Sequence, residues 1–222
     1  MANYLAEFIG TFALILVGAG SVCADVLSGG KLGITGIAFA HGLTIMVMIY
    51  AYGHISGAHF NPAVTVPMWL TRRIPLRQAV GYVVAQLAGA SVAGLLLSRL
   101  VGSLVYVPPY LGTCALTNTT VLGGVVLEAI LTFFLVSVIW GMAVDPRSPK
   151  PPVGLAIGFT VTLDILMGGY FTGAAMNPAR AFGPALATGH WTHQAVYWIG
   201  PLLGGCAAGV LYDTVFLKKH TS

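Results

Sequence analysis

Charge is what this chain of 222 residues has least of. Lysine and arginine number 10 and aspartate and glutamate 6, together 7% of the residues, where a soluble domain carries about 25%. With 57% hydrophobic residues, that shortage excludes an ordinary water-soluble domain and points to a chain that crosses a membrane repeatedly. The surplus of +4 lies scattered between apolar runs, not on one face or tail, so no nucleic-acid partner is expected. Cysteine is scarce too. Cys23, Cys114 and Cys206 are odd in number, far apart and without a CxxC pair, which excludes a disulfide framework and a thiolate metal site; no metal and no cofactor are expected. The first apolar run has neither a basic leader nor a small-residue cleavage pattern after it, and is expected to be a retained helix, not a signal peptide. A nucleophile elbow is missing as well. "GHISG" at 53–57 sets Ser56 near histidine but supplies no G-x-S-x-G turn and no matched base, so the chain is not expected to be an enzyme. Ser56 reads as part of a tight loop.

Long apolar stretches are abundant. Six, roughly 4–23, 34–53, 78–100, 121–143, 153–170 and 194–216, match the ~20 residues that a membrane-crossing helix needs. Two more begin at Asn61 and Asn177 and run only about 10–12 residues, which makes them re-entrant half-helices. "AEFIGTFALILVGAG" at 6–20 parallels "LEAILTFFLVSVIWG" at 127–141, and each is followed by a Gly-rich span and then Asn-Pro-Ala. The sequence therefore predicts an all-α membrane protein, one domain over 1–222, built of repeats 1–103 and 119–222, each with three spans and a half-helix. Three is odd, so the second copy enters from the opposite side and the repeats are inverted. Arg72, Arg73, Arg77, Arg147, Lys150, Lys218 and Lys219 fall on the side shared by both termini and only Lys31 and Arg99 on the other, which places both termini in the cytoplasm and 101–120 outside. Arg180 belongs to neither side.

One Asn-Pro-Ala can simply start a helix, Asn capping and Pro taking the first position. Two copies, Asn61-Pro62-Ala63 and Asn177-Pro178-Ala179, opening helices too short to cross, are more specific. Irregular backbone survives at membrane depth only when buried in protein or lining a watery cavity. Two helix N-termini converging near the midplane would bring free N–H groups and positive dipole ends to one place, repelling cations. Amide donors from Asn61 and Asn177 would turn each passing water oxygen toward them and break the proton-conducting file. That reads as a pore for neutral solutes.

At "AEFIGTF", "GHISGAHFNPAVT", "GAAMNPARAFGPAL" and "YWIGPLLGG" the chain resembles aquaporins of the major intrinsic protein family over essentially its whole length. The resemblance implies a passive channel for water, with ammonia as a second neutral permeant, excluding protons and ions, in a homotetramer with one pore per subunit. It implies a multi-pass protein of the cell (plasma) membrane, its partners being water, ammonia and the lipid bilayer. It assigns the outer constriction to His41, Ile165, Ala174 and Arg180, a set similar to that of plant tonoplast intrinsic proteins. It also implies poor glycerol passage, since glycerol-conducting relatives place Asp after this Arg and the chain has Ala181, with Tyr197–Trp198 pointing the same way. At the constriction His41 either leaves the ring wide or folds into the lumen and narrows it. With Ala174 where mercury-blocked channels often carry Cys, no thiol is expected there and mercury block should be weak unless Cys23, Cys114 or Cys206 acts indirectly.

Glu7 and Glu128 hold matching places in the two repeats, and a carboxylate at membrane depth demands a polar partner; by resemblance each supports a re-entrant loop, as does His59, whose other reading is an exposed histidine on the cytoplasmic side. Asp164 is expected to be a buried hydrogen-bonding group away from the lumen. His54, His190, His193 and His220 read as solvated. "DPRSPKPP" at 145–152, with Ser148, reads as a stiff connector. The small-residue runs "AQLAGASVAG" and "LLGGCAAG" serve either packing within the bundle or association of copies. Two competing classes remain: a secondary transporter, which also uses inverted repeats and broken helices, and a non-transporting adhesion protein, against which the short loops argue.

Overall fold

The structure, a computed structural model, describes residues 1–102, 106–148 and 152–217. Lys150, Lys218, Lys219 and His220 lie outside them. Among the described residues six helices are long and apolar enough to span: α1 (Ala2–Leu27), α2 (Gly33–Ser56), α4 (Leu76–Val101), α5 (Val121–Ile139, continued by a wider-wound turn to Val144), α6 (Val153–Thr172) and α8 (Val196–Leu211, similarly continued to Leu217). Between them lie two short helices, α3 (Pro62–Leu70) and α7 (Pro178–Thr188). Each half thus runs long, long, short, long. No strand occurs among the described residues.

The short helices are 9 and 11 residues because the asparagines stand outside them as N-caps. Asn61 and Asn177 have extended backbone, and each side-chain oxygen accepts from the helix's own first amides, while Pro at the first position forfeits no hydrogen bond. The preceding long helices stop at Gly57 and Gly173, both left-handed (φ 88° and 82°), a conformation glycine takes without the steric cost other residues incur.

Glycine also sets the helix spacing. A methyl on Gly42 of α2 would strike the Gly158 carbonyl of α6, and one on Gly158 would lie 2.5 Å from the Gly42 carbonyl. Gly89 of α4 sits on the Phe8 carbonyl of α1, Gly94 on the Gly183 carbonyl of α7, Gly204 of α8 on the Ala129 carbonyl of α5, and Gly205 on the Ala63 carbonyl of α3. The glycines of both small-residue runs therefore face the chain's own helices, letting backbones touch where lipid supplies no hydrophobic drive. The outward faces carry Val80, Val84, Val92 and Leu95 on α4 and Phe159, Leu163, Met167 and Tyr170 on α6, all exposed, as contact with hydrocarbon requires. At the end where α3 finishes and α8 ends, Arg73 pairs with Asp213. Arg147 binds Asp145 through Nη2 and the Phe216 carbonyl through the same nitrogen, and holds the Asp145 carboxyl below the usual carboxylate range.

Candidate functional site

Two backbone loops, 57–61 and 173–177, enter the centre of the bundle, and each needs its amides satisfied without water. Glu7 and Glu128, both fully buried, meet that need. Glu7 Oε1 accepts from Ser56 Oγ (2.7 Å) and the His59 amide (2.9 Å), and Oε2 from the Phe60 amide and Gln86 Nε2 (both 2.7 Å). Glu128 Oε1 accepts from Thr172 Oγ1 (2.6 Å) and the Ala175 amide (2.9 Å), and Oε2 from the Met176 amide (2.7 Å). Tyr82 and Tyr197 repeat the correspondence, donating to the Ser56 and Thr172 carbonyls. These bonds hold four non-glycine residues in left-handed backbone, Ala58, Phe60, Ala174 and Met176, at a cost on the order of 1 kcal/mol each.

The loops lock to one another through the asparagines. Asn61 Nδ2 donates to the Met176 carbonyl at 2.8 Å and Asn177 Nδ2 to the Phe60 carbonyl at 2.9 Å, so each amide fixes the residue before its counterpart. One N–H of each Nδ2 is thereby used and the other left over. Both asparagines line a narrow central cavity of about 80 Å³. At roughly 10–15 Å³ per water by that measure, it has room for a single file of a few molecules. Its walls are apolar, with Leu14, Ile45, Ile157 and Val161 among them, and its polar lining groups are His41, His59, Asn61, Asn177 and Arg180. No carboxylate or lysine lines it among the described residues.

His59 is buried, not solvent-facing. Its Nδ1 lies 3.1 Å from Thr65 Oγ1, which donates its own proton to the Asn61 carbonyl. His41 Nδ1 is 2.9 Å from the Ile37 carbonyl, an acceptor only, so that Nδ1 carries the proton and Nε2 offers a lone pair. His41, Ile165, Ala174 and Arg180 all line the cavity, and the fold thus brings together the four residues assigned to the constriction. Arg180 is 5% exposed. Its Nη1 donates to the Gly112 carbonyl at 2.7 Å and lies 2.9 Å from Cys114 Sγ.

A family model described as major intrinsic protein matches residues 1–212. The chain belongs to the major intrinsic protein family. It is 44% identical to "Aquaporin TIP4-4" of Zea mays over 97% of this chain and 86% of that one, and 42% identical to "Aquaporin NIP1-1" of Zea mays over 95% and 73%. The X-ray structure of the aquaglyceroporin from Plasmodium falciparum superposes with a TM-score of 0.89 at 24% identity, covering 98% and 97% of the two chains; that likeness carries the fold and not the solute. As a member of the major intrinsic protein family the chain is a multi-pass integral membrane protein and a passive channel for water and small neutral solutes, not an enzyme.

Two expectations for this channel are refined by its geometry. A thiol lies behind the constriction: the 106–120 segment folds inward and sets Cys114, buried and outside the cavity lining, against Arg180. No periodicity or motif marks that loop, so the contact, 66 residues apart in sequence, has no sequence signal. Mercuric ion is therefore expected to lower water permeability through Cys114. Cys114→Ser should remove the block and Cys23→Ser or Cys206→Ser should not; a block that persists in Cys114→Ser would show that the thiol on Arg180 is not the target. Asp164 is the second refinement. It is buried and away from the lumen, as expected, but its Oδ2 has no hydrogen-bond partner among the described residues. The surface around it on α6, Val161 and Gly168, is apolar, and nothing in the structure explains an acid there. Of the histidines read as solvated, His54 and His193 are exposed, while His190 is half-buried and stacks on Tyr110, centroids 4.0 Å apart.

Proposed function

We propose that this channel carries water and neutral ammonia in single file and rejects protons, ions and glycerol. The observation that carries the reading is the pair of cross-bonded asparagines at the meeting of two helix N-termini. The amide proton each keeps free is a donor for passing water oxygens, and the two dipole ends oppose a cation. On this reading Asn61-Pro62-Ala63 and Asn177-Pro178-Ala179 form the central barrier, while Glu7, Glu128 and His59 support it. His41, Ile165, Ala174 and Arg180 form the outer filter. Ile165 gives the filter an apolar wall where a histidine would add a donor, so ammonia is excluded by neither size nor polarity, whereas ammonium is repelled by Arg180. Ala181 after Arg180 supports the rejection of glycerol. A lumen with no carboxylate among the described residues speaks against an ion-coupled transporter, which needs titratable or ion-binding groups at the midplane.

The repeats are proposed to be 1–103 and 119–222, their equivalence resting on the matched Glu7/Glu128, Tyr82/Tyr197 and Asn61/Asn177 bonds. The assembly is proposed to be a homotetramer with one pore per subunit, as membership of the family suggests. For location, TIP-named relatives favour an internal, tonoplast-type membrane over the cell membrane suggested by the sequence. Purified channel in liposomes tests the solute reading. Wild type should pass ammonia above the protein-free background, and Ile165→His should cut ammonia flux more than water flux. Ammonia entry no faster than in empty liposomes defeats the wide filter, and saturable uptake driven by an ion gradient defeats the channel.

A further inference from the structure

Whether His41 leaves the constriction open depends on where its ring can lie, and the helix beside it decides that. His41 sits on α2, 3% exposed, tethered by Nδ1 to the Ile37 carbonyl one turn below. Its far edge rests on α1 at Gly18. A methyl built on Gly18 would come within 2.5 Å of both Cδ2 and Nε2 and 3.0 Å of Cε1. Those three atoms are the entire outer edge of the imidazole, and carbon–carbon contacts below about 3.5 Å are repulsive. The ring occupies the space that any side chain at position 18 would need. Nε2 is buried with no hydrogen-bond partner among the described residues, so the ring is held there by packing and by its Nδ1 tether, not by a polar contact from α1.

We propose that Gly18 is a specificity-determining position of this channel, acting through His41. By lacking a side chain it lets the imidazole lie back against α1 and keeps the His41 side of the filter open. The inference rests on the reading of His41, Ile165, Ala174 and Arg180 as the filter. Gly18 touches no permeant and is a positioning residue. With a methyl at position 18 the imidazole must leave α1. The Ile37 tether holds its base, and α1 closes the side it leaves, so the room left to it is the cavity that His41 already lines with Ile165 and Arg180. The ring then narrows the opening and turns Nε2, a lone pair, into the file. Ammonia and other solutes wider than water should be retarded more than water.

The neighbouring helix position supplies a control. A methyl on Gly20 of α1 would meet only Leu97 Cδ1, at an ordinary 3.6 Å. The experiment compares water and ammonia permeabilities of purified wild type, Gly18→Ala, Gly20→Ala, His41→Ala and the double variant Gly18→Ala/His41→Ala in liposomes of one composition. Thermal unfolding of each confirms the fold. Gly18→Ala should lower the ammonia-to-water ratio by about five-fold, within the coupling that contacting residues show, and Gly20→Ala should leave it at the wild-type value. In the His41→Ala background the Gly18 substitution should have no further effect on the ratio, which a general loosening of α1 would not produce. If His41→Ala alone leaves the ratio unchanged, the filter reading fails. If His41→Ala changes it but Gly18→Ala does not, or does so equally without the imidazole, the filter stands and the role of Gly18 is overturned.

Discussion

Replacing Glu128 with alanine is expected to leave no conducting channel. Its carboxylate is the acceptor for Thr172 Oγ1 and for the Ala175 and Met176 amides, all three in the bundle interior. At about 1–3 kcal/mol for each buried donor left unsatisfied, three donors amount to a large share of the ~5–15 kcal/mol that keeps a protein folded. The same bonds hold Ala174 and Met176 at φ 43° and 51°, and without them nothing offsets that strain. The loop should relax, Asn177 should lose its register with the Phe60 carbonyl, and the central barrier should dissolve with the fold. Glu128→Gln, which keeps one acceptor oxygen and the shape, should be intermediate. Yield of monodisperse protein, unfolding temperature and osmotic water flux measure the loss. Glu128→Ala protein that unfolds at the wild-type temperature and conducts water normally would mean that the loop stands without its carboxylate.

Much of this molecule could be read from run lengths alone. The six spans follow from hydrophobic stretches near twenty residues, and the structure moves their ends only slightly, from 34–53 to Gly33–Ser56 and from 194 to Val196 at the start of α8. The half-helices were legible because their apolar runs are too short and because Asn-Pro carries its own capping chemistry; they begin one residue later than read, at Pro62 and Pro178, since the asparagine stands outside the helix. Glu7 and Glu128 announced themselves by cost, as acids at membrane depth. What escaped was contact between distant segments without a compositional mark. Cys114 is a lone cysteine in a loop, and only the inward fold of that loop puts its sulfur on Arg180. Gly18 is one of 29 glycines, and nothing in its neighbourhood along the chain says that an imidazole on another helix fills its missing side chain. The exchange of amide bonds between Asn61 and Asn177 joins residues 115 and 117 apart, which symmetry suggests but cannot fix.

The charge at the outer constriction should matter as much to selectivity as Glu128 does to folding: Arg180→Ala is expected to make the channel leak protons and small cations while still passing water. The position of the guanidinium is set by the Gly112 carbonyl and Cys114 rather than by a counter-ion, since no acid pairs with it among the described residues. A cation passing about 4 Å away at an effective dielectric of about 20 meets some 4 kcal/mol of repulsion, and at about 1.4 kcal/mol per decade that is close to a thousand-fold in rate. The helix N-termini at Asn61 and Asn177 remain in the variant, so the leak should fall short of that limit, on the order of a hundred-fold over wild type. Arg180→Lys keeps the charge but cannot span both anchors, and should restore most of the exclusion while altering solute preference. Collapse of an imposed pH gradient, followed alongside osmotic water flux in the same vesicles, reads both properties at once. Should Arg180→Ala hold a pH gradient as well as wild type while conducting water, the barrier lies wholly at the paired asparagines and the arginine serves only to size the opening.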